Sequence, residues 1–151
     1  MPITFTTTRR APATAHVVAH GVTTEGFEDG SGLPDGVEAG ALGRLGFEAR
    51  AEQVQVLPSG ERLVALVGLG SADEVSTDTV RRSAAALARA TRKHRSLACD
   101  LAVASGLDAA PATQTVVEGI GLAAYRFGYT SKKAERGIER VSLVGSTAAG
   151  V

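Results

Sequence analysis

Gly68-Leu69-Gly70-Ser71 is the first place in this sequence where backbone chemistry could be done. It follows an apolar run and precedes a helical pattern, the position at which free N–H groups and a helix dipole receive a phosphate or a carboxylate. Gly68, Gly70 and Ser71 are therefore the candidate anion-binding residues. The stretch lacks the third glycine of a dinucleotide fingerprint and the Gly-Lys-Ser/Thr of a phosphate loop, so a tight structural turn is the plainer reading.

Side-chain chemistry has fewer footholds. His16 and His20 lie four apart and would share one face of a strand with Val18 between them, but two imidazoles are not a zinc site. The remaining histidine, His94, sits beside a basic helix end with no carboxylate at ligand spacing. Cys99 falls inside an apolar run, where a thiol is usually a small buried hydrophobe. Arg81, Arg82, Arg89, Arg92, Lys93 and Arg95 could contact phosphates, yet they lack the interleaved aromatics of a single-strand platform. No Gly-x-Ser-x-Gly, His-Glu-x-x-His or paired-carboxylate arrangement occurs. The residues by themselves specify no catalytic and no metal-binding site.

The elements that must carry these residues follow from period and punctuation. His16–Val22 is β-branched and short, and reads as a first strand. Glu25–Gly36 concentrates glycine, acids and Pro34, and is expected to be a long surface loop. Val37–Leu45 has helical spacing weakened by Gly40 and Gly43. Glu52–Leu57 alternates as a strand, Pro58-Ser59-Gly60 turns, and Leu63–Leu69 is a continuous apolar run suited to a strand buried on both faces. Ser76, Thr77 or Asp78 can cap a helix running through Arg95, with Val80, Ala84, Leu87, Ala88 and Thr91 on one stripe. Ala98–Ala104 reads as a strand and Asp108–Thr113 as a loop around Pro111. Thr115 with Glu118 has capping-box spacing for a helix up to Gly128. Ile138–Val144 is a last strand, and Gly145–Val151 a frayed end. Strands alternating with helices in the second half predict a three-layer α/β domain whose mostly parallel sheet is made mixed by the early hairpin.

Composition bounds the function. The chain has 151 residues, 44% hydrophobic and 21% charged, enough for one domain with a core that needs no disulfide or metal staple. A single cysteine makes no disulfide framework, the start has no secretory pattern, and no apolar run approaches a membrane span, so a cytoplasmic setting is expected. Zero net charge argues against a surface built for nucleic acid or anionic lipid. The distribution is uneven: residues 1–80 hold 5 basic and 11 acidic residues, residues 81–151 the reverse, 11 and 5. Within one domain this reads first as internal complementarity, with a basic face for a partner as the other reading.

Three stretches in this order and spacing, Arg62–Gly70, Asp78–Ala90 and Val117–Lys133, resemble the N-terminal domain of the leucyl aminopeptidase family, the cytosolic metalloexopeptidases. The last is the most telling: a helix of small residues ends in Tyr125-Arg126-Phe127, followed by Ser131-Lys132. The resemblance covers about His16 to Val144. It implies a macro-like α/β domain packed on a separate C-terminal catalytic domain, in a hexameric enzyme that acts on peptides with two divalent metals, zinc or manganese. The metal ligands and catalytic residues of that family belong to the C-terminal domain, whose Asn-Thr-Asp-Ala-Glu-Gly-Arg-Leu motif does not occur here, so none is carried over. The chain is then expected to be a single non-catalytic domain, inactive alone. The competing expectation is a free-standing macro-like module that holds a phosphate-containing ligand at Gly68–Ser71.

Overall fold

The computed structural model describes residues 3–130 and 137–145, with the side chains of 126–130 outside that description. Six strands form one sheet: β1 Thr4–Thr8, β2 Val17–Thr23, β3 Val54–Ser59, β4 Arg62–Gly70, β5 Ser96–Cys99 and β6 Arg140–Val144, in the order β1-β6-β5-β2-β4-β3. All neighbours pair parallel except β3 with β4, whose two-residue Gly60-Glu61 turn leaves Ser59 opposite Arg62. The expected mixed, mostly parallel α/β sheet is therefore what forms. Pro58 lies inside β3, not in the turn; an edge strand tolerates a residue with no N–H to donate.

Alternation along β4 divides the core. Ala65, Val67 and Leu69 face one cluster with α3 (Thr77–Ala90), α4 (Leu101–Ala104) and α5 (Ala109–Thr130). Val64 and Leu66 face a smaller cluster on the opposite side, closed by α1 (Thr24–Asp29), α2 (Ala39–Arg44) and the chain around Phe47. The sheet is thus covered by helices on both faces.

Several elements differ from their expected form. The Glu25–Gly36 stretch is not all loop: Thr23 Oγ1 accepts from the Gly26 N–H, one turn of α1 forms, and Gly30 closes it at φ 79°. α3 is capped by Ser76 in a reciprocal box with Thr79, but it stops at Ala90, where the Thr91 hydroxyl donates to the Leu87 carbonyl. The apolar run Ala98–Ala104 is split; β5 ends at Cys99 and Leu101–Ala104 is helical, because Asp100 turns its carboxylate back onto β2. α5 begins at Ala109, with Pro111 in its first turn, where a missing N–H costs no helix bond. Thr115 is consequently not a cap: its hydroxyl donates to the Pro111 carbonyl within the helix, and Glu118 accepts from Arg81 of α3. β1 had no strand signal, since five residues of which four are threonine carry little hydrophobic pattern. The helix-ending Arg126-Phe127 side chains, Ser131-Lys132 and the stretch after Gly145 lie outside the described residues.

Candidate functional site at the carboxyl ends of the strands

In parallel sheets the polar work is done beyond the carboxyl ends of the strands, at the point where strand order reverses. Here that point lies between β2 and β5, because the chain leaves β2 for β4 on one side and returns to β5 on the other. His20 of β2 and Asp100, directly after β5, meet there: His20 Nδ1 is 3.1 Å from Asp100 Oδ2, and the Gly21 N–H donates to Asp100 Oδ1 at 2.8 Å. Both side chains are partly exposed, 28% and 31%. One carboxylate thus bridges two strands and orients an imidazole. Sequence reasoning weighed His20 only against His16 and missed Asp100; its one signal is a lone acid in an apolar run.

The Gly68–Ser71 loop lies beside this point, and its donors are engaged by the chain itself. Glu25, in the first turn of α1, accepts from the Ser71 hydroxyl at 3.0 Å and from the Ala72 N–H at 2.8 Å. The Ala72 N–H foremost, then the glutamate's own N–H and the Ser71 hydroxyl, hold the Glu25 carboxyl below the usual carboxylate range. Ser71 and Ala72 thus hold the Glu25 carboxylate, while the Gly68 and Gly70 N–H groups donate to the Gln53 and Ala49 carbonyls. A phosphate there would have to displace a carboxylate that is covalently tethered and already hydrogen-bonded. The glycines are spent on packing: a Cβ on Gly68 would run into the Arg50 carbonyl oxygen and lie 2.6 Å from the Ala49 carbonyl carbon, and Gly70 adopts φ 78°.

The other candidates are separated. His16 stands exposed before the amino end of β2, about 13 Å of strand away from His20. Beside it an open groove of about 620 Å³ runs along Ala13–His16, Ser59, Glu61 and Arg62. His94 lies past the end of α3. Among the described residues, no three His, Cys, Asp or Glu side chains come together as a metal site. Cys99 is fully buried; burial, reinforced by the Asp100 charge, pushes its thiol up to about 12. It is expected to resist alkylation in the native chain at pH 8 and to react fully once unfolded. Its raised pKa also gives a sign: stability is intact below the thiol's unfolded value of about 8.5, then falls as pH rises towards 12, by up to about 1.4 kcal/mol per unit. Rapid labelling of the native chain, followed by mass spectrometry, would contradict the buried placement.

Fold and contacts together define an α/β domain with a mixed, mostly parallel sheet whose strand-end polar groups largely hold one another. Residues 35–133 match the family model described as "Cytosol aminopeptidase family, N-terminal domain", and the chain belongs to that family. Two relatives named probable cytosol aminopeptidase are similar: that of Acaryochloris marina is 41% identical over 70 residues, 46% of this chain and 14% of the relative. That of Nostoc punctiforme is 38% identical over 88 residues, 56% of this chain and 18% of the relative. Among solved structures, the bottromycin maturation enzyme BotP superposes with a TM-score of 0.70 at 35% identity, over 90% of this chain and 28% of that one. A mutant tomato leucine aminopeptidase shares the fold, with a TM-score of 0.74 at 20% identity, over 95% of this chain and 32% of that one. The matched region therefore spans less than a third of each of these longer proteins. Among the described residues, no helix is long and apolar enough to cross a membrane.

Proposed function

We propose that this chain is the non-catalytic N-terminal domain of a metal-dependent leucyl aminopeptidase, which removes N-terminal amino acids from peptides in the cytoplasm. Within that protein the domain serves in assembly and in shaping access to the active site. The match of residues 35–133 to the family's N-terminal domain carries this reading. Leu122 and Tyr125, 60% and 70% exposed at i, i+3 on α5, add support, since adjacent large apolar groups on a helix are what a covering domain uses. The C-terminal catalytic domain of the same polypeptide would be the partner, and the parent a homo-hexamer. Its two divalent metals, zinc or manganese, would activate water for attack on the first peptide bond. The described residues of this chain do not fit such a centre, because they bring no ligand set together, and no step of that reaction is assigned to them.

The test is peptide hydrolysis by the purified 151-residue chain with added manganese or zinc, beside the intact mass of the native gene product. No turnover above a metal-only blank, together with a product much longer than 151 residues carrying metal-ligand motifs, is the expected result. Turnover by the chain alone, or a native product ending at Val151, overturns the proposal.

A further inference from the structure

The fold sorts charge along the strand direction. At the amino end of the sheet, Arg62, Arg95 and Arg140 stand at the starts of β4, β5 and β6, and Arg89, Arg92 and Lys93 at the end of α3. Among the described residues, Glu61 and Glu139 accompany them. At the carboxyl end the exposed acids Glu28, Asp29, Asp73, Glu74 and Asp108 follow β2, β4 and β5, with Asp78 in the first turn of α3, against Arg9 and Arg10 after β1 and Arg81 and Arg82 near the start of α3. Among the described residues, the ion pairs that join the two sequence halves gather toward the carboxyl end of the sheet. Arg82 reaches Glu52 at 3.8 Å and Asp78 at 3.1 Å, and Arg81 lies 3.8 Å from Asp78, all across the two halves, while Arg81 also pairs with Glu118 of its own half. Among the described residues, no ion pair involves Arg62, Arg89, Lys93, Arg95 or Arg140.

A helix C-terminus accounts for part of this, since cations there complement the helix dipole. It accounts for Arg89, Arg92 and Lys93 but not for Arg62, Arg95 and Arg140, which begin strands on three neighbouring ladders. Because the whole chain has zero net charge, two copies meet with no net repulsion to oppose attraction between unlike ends. We infer that the basic amino end of this domain is an interaction surface for an acidic protein face, and that the acidic carboxyl end of a second copy fits it, head to tail. Such a contact is heterologous: each copy keeps one free basic and one free acidic end, so association proceeds beyond a dimer unless it closes into a ring. This goes beyond the aminopeptidase reading and does not depend on it.

Sedimentation velocity of the 151-residue chain at about 10 mM and about 1 M salt tests it, since screening shortens the reach of these charges from about 30 Å to about 3 Å. Concentration-dependent growth at low salt, weakened at least about tenfold at high salt, is expected. Arg95→Glu with Arg140→Glu should abolish self-association, as should Asp73→Arg with Glu74→Arg. All four residues lie on the surface, and circular dichroism verifies that each variant is folded. Mixing the two double variants should restore association, because the reversed ends are complementary to each other. A chain that stays monomeric at low salt, association that persists at high salt, or no restoration on mixing overturns the inference. A monomeric chain that instead binds a short DNA duplex in a salt-dependent way assigns the basic end to nucleic acid and also overturns it.

Discussion

Gly68→Ala is expected to lower the unfolding free energy by about 3 kcal/mol, at the upper end of the usual cost of overpacking. The added methyl meets backbone rather than a side chain that could swing aside, with the Ala49 carbonyl carbon at 2.6 Å and the Arg50 carbonyl oxygen nearer still. The crossing is tied on several sides. The Gly68 N–H donates to the Gln53 carbonyl at 2.7 Å and the Gly70 N–H to the Ala49 carbonyl at 2.9 Å. Ser83 of α3 donates its hydroxyl to the Gly68 carbonyl at 3.1 Å and accepts from the Glu52 N–H at 3.1 Å. Ala49 and Glu52 hold φ of 59° and 69°, a conformation that L side chains adopt only when surrounding contacts enforce it. Moving this segment to admit a methyl would break those bonds together. Gly43→Ala is the matched control: it sits in α2 with nothing within 4 Å of the new methyl, and should raise stability by about 0.5–1 kcal/mol through helix propensity. Urea denaturation of both variants is the measurement. A Gly68 variant as stable as the parent would free this glycine from a packing role and return attention to a ligand at the loop.

Phe47→Ala should cost roughly 3–5 kcal/mol, the range for removing a large buried aromatic. Phe47 is 1% exposed and among the largest fully buried side chains. It is the keystone of the smaller cluster: Val22, Leu42, Ala49 and Leu66 pack with it, and Phe27 of α1 meets its ring edge to face, centroids 5.4 Å apart. Five buried residues have little capacity to close over the cavity left behind. Amide exchange should therefore quicken throughout α1 and α2 while α3 and α5, on the other face, remain protected. A loss below about 1 kcal/mol, or uniform loss of protection, would mean that the two faces do not behave as separate cores.

The two faces also mark where local pattern carries information. β4 and α3 are legible from residues 62–90 alone: a nine-residue strand of nearly unbroken apolar character and a helix with Val80, Ala84 and Leu87 on one stripe. Their apolar faces are buried, so periodicity reports the environment faithfully. The ordered stretches Arg62–Gly70, Asp78–Ala90 and Val117–Lys133 likewise carry the family resemblance in the sequence itself.

The remainder depends on contacts made across the chain. Thr4–Thr8 becomes a strand only because Arg140–Val144 lies beside it, and a threonine-rich edge has no hydrophobic period of its own to announce that pairing. Ala98–Ala104 contains equally good material for strand or helix; the division at Asp100 is imposed by the Gly21 N–H, 79 residues earlier. Gly68 looks like ligand chemistry in one dimension and proves to be the crossing point for the Ala49–Arg50 backbone in three. Glu25 sits in what reads as a solvated loop, yet it accepts a hydrogen bond from the Ser71 hydroxyl, 46 residues away. Composition and period determined by themselves that this chain is an α/β domain with one buried hairpin strand and two long amphipathic helices, because each of those properties is a sum over neighbours. Tertiary structure alone decided which polar groups meet and which cations gather at the sheet's amino end, because hydrogen bonds and ion pairs act over a few ångströms between residues that the sequence keeps far apart.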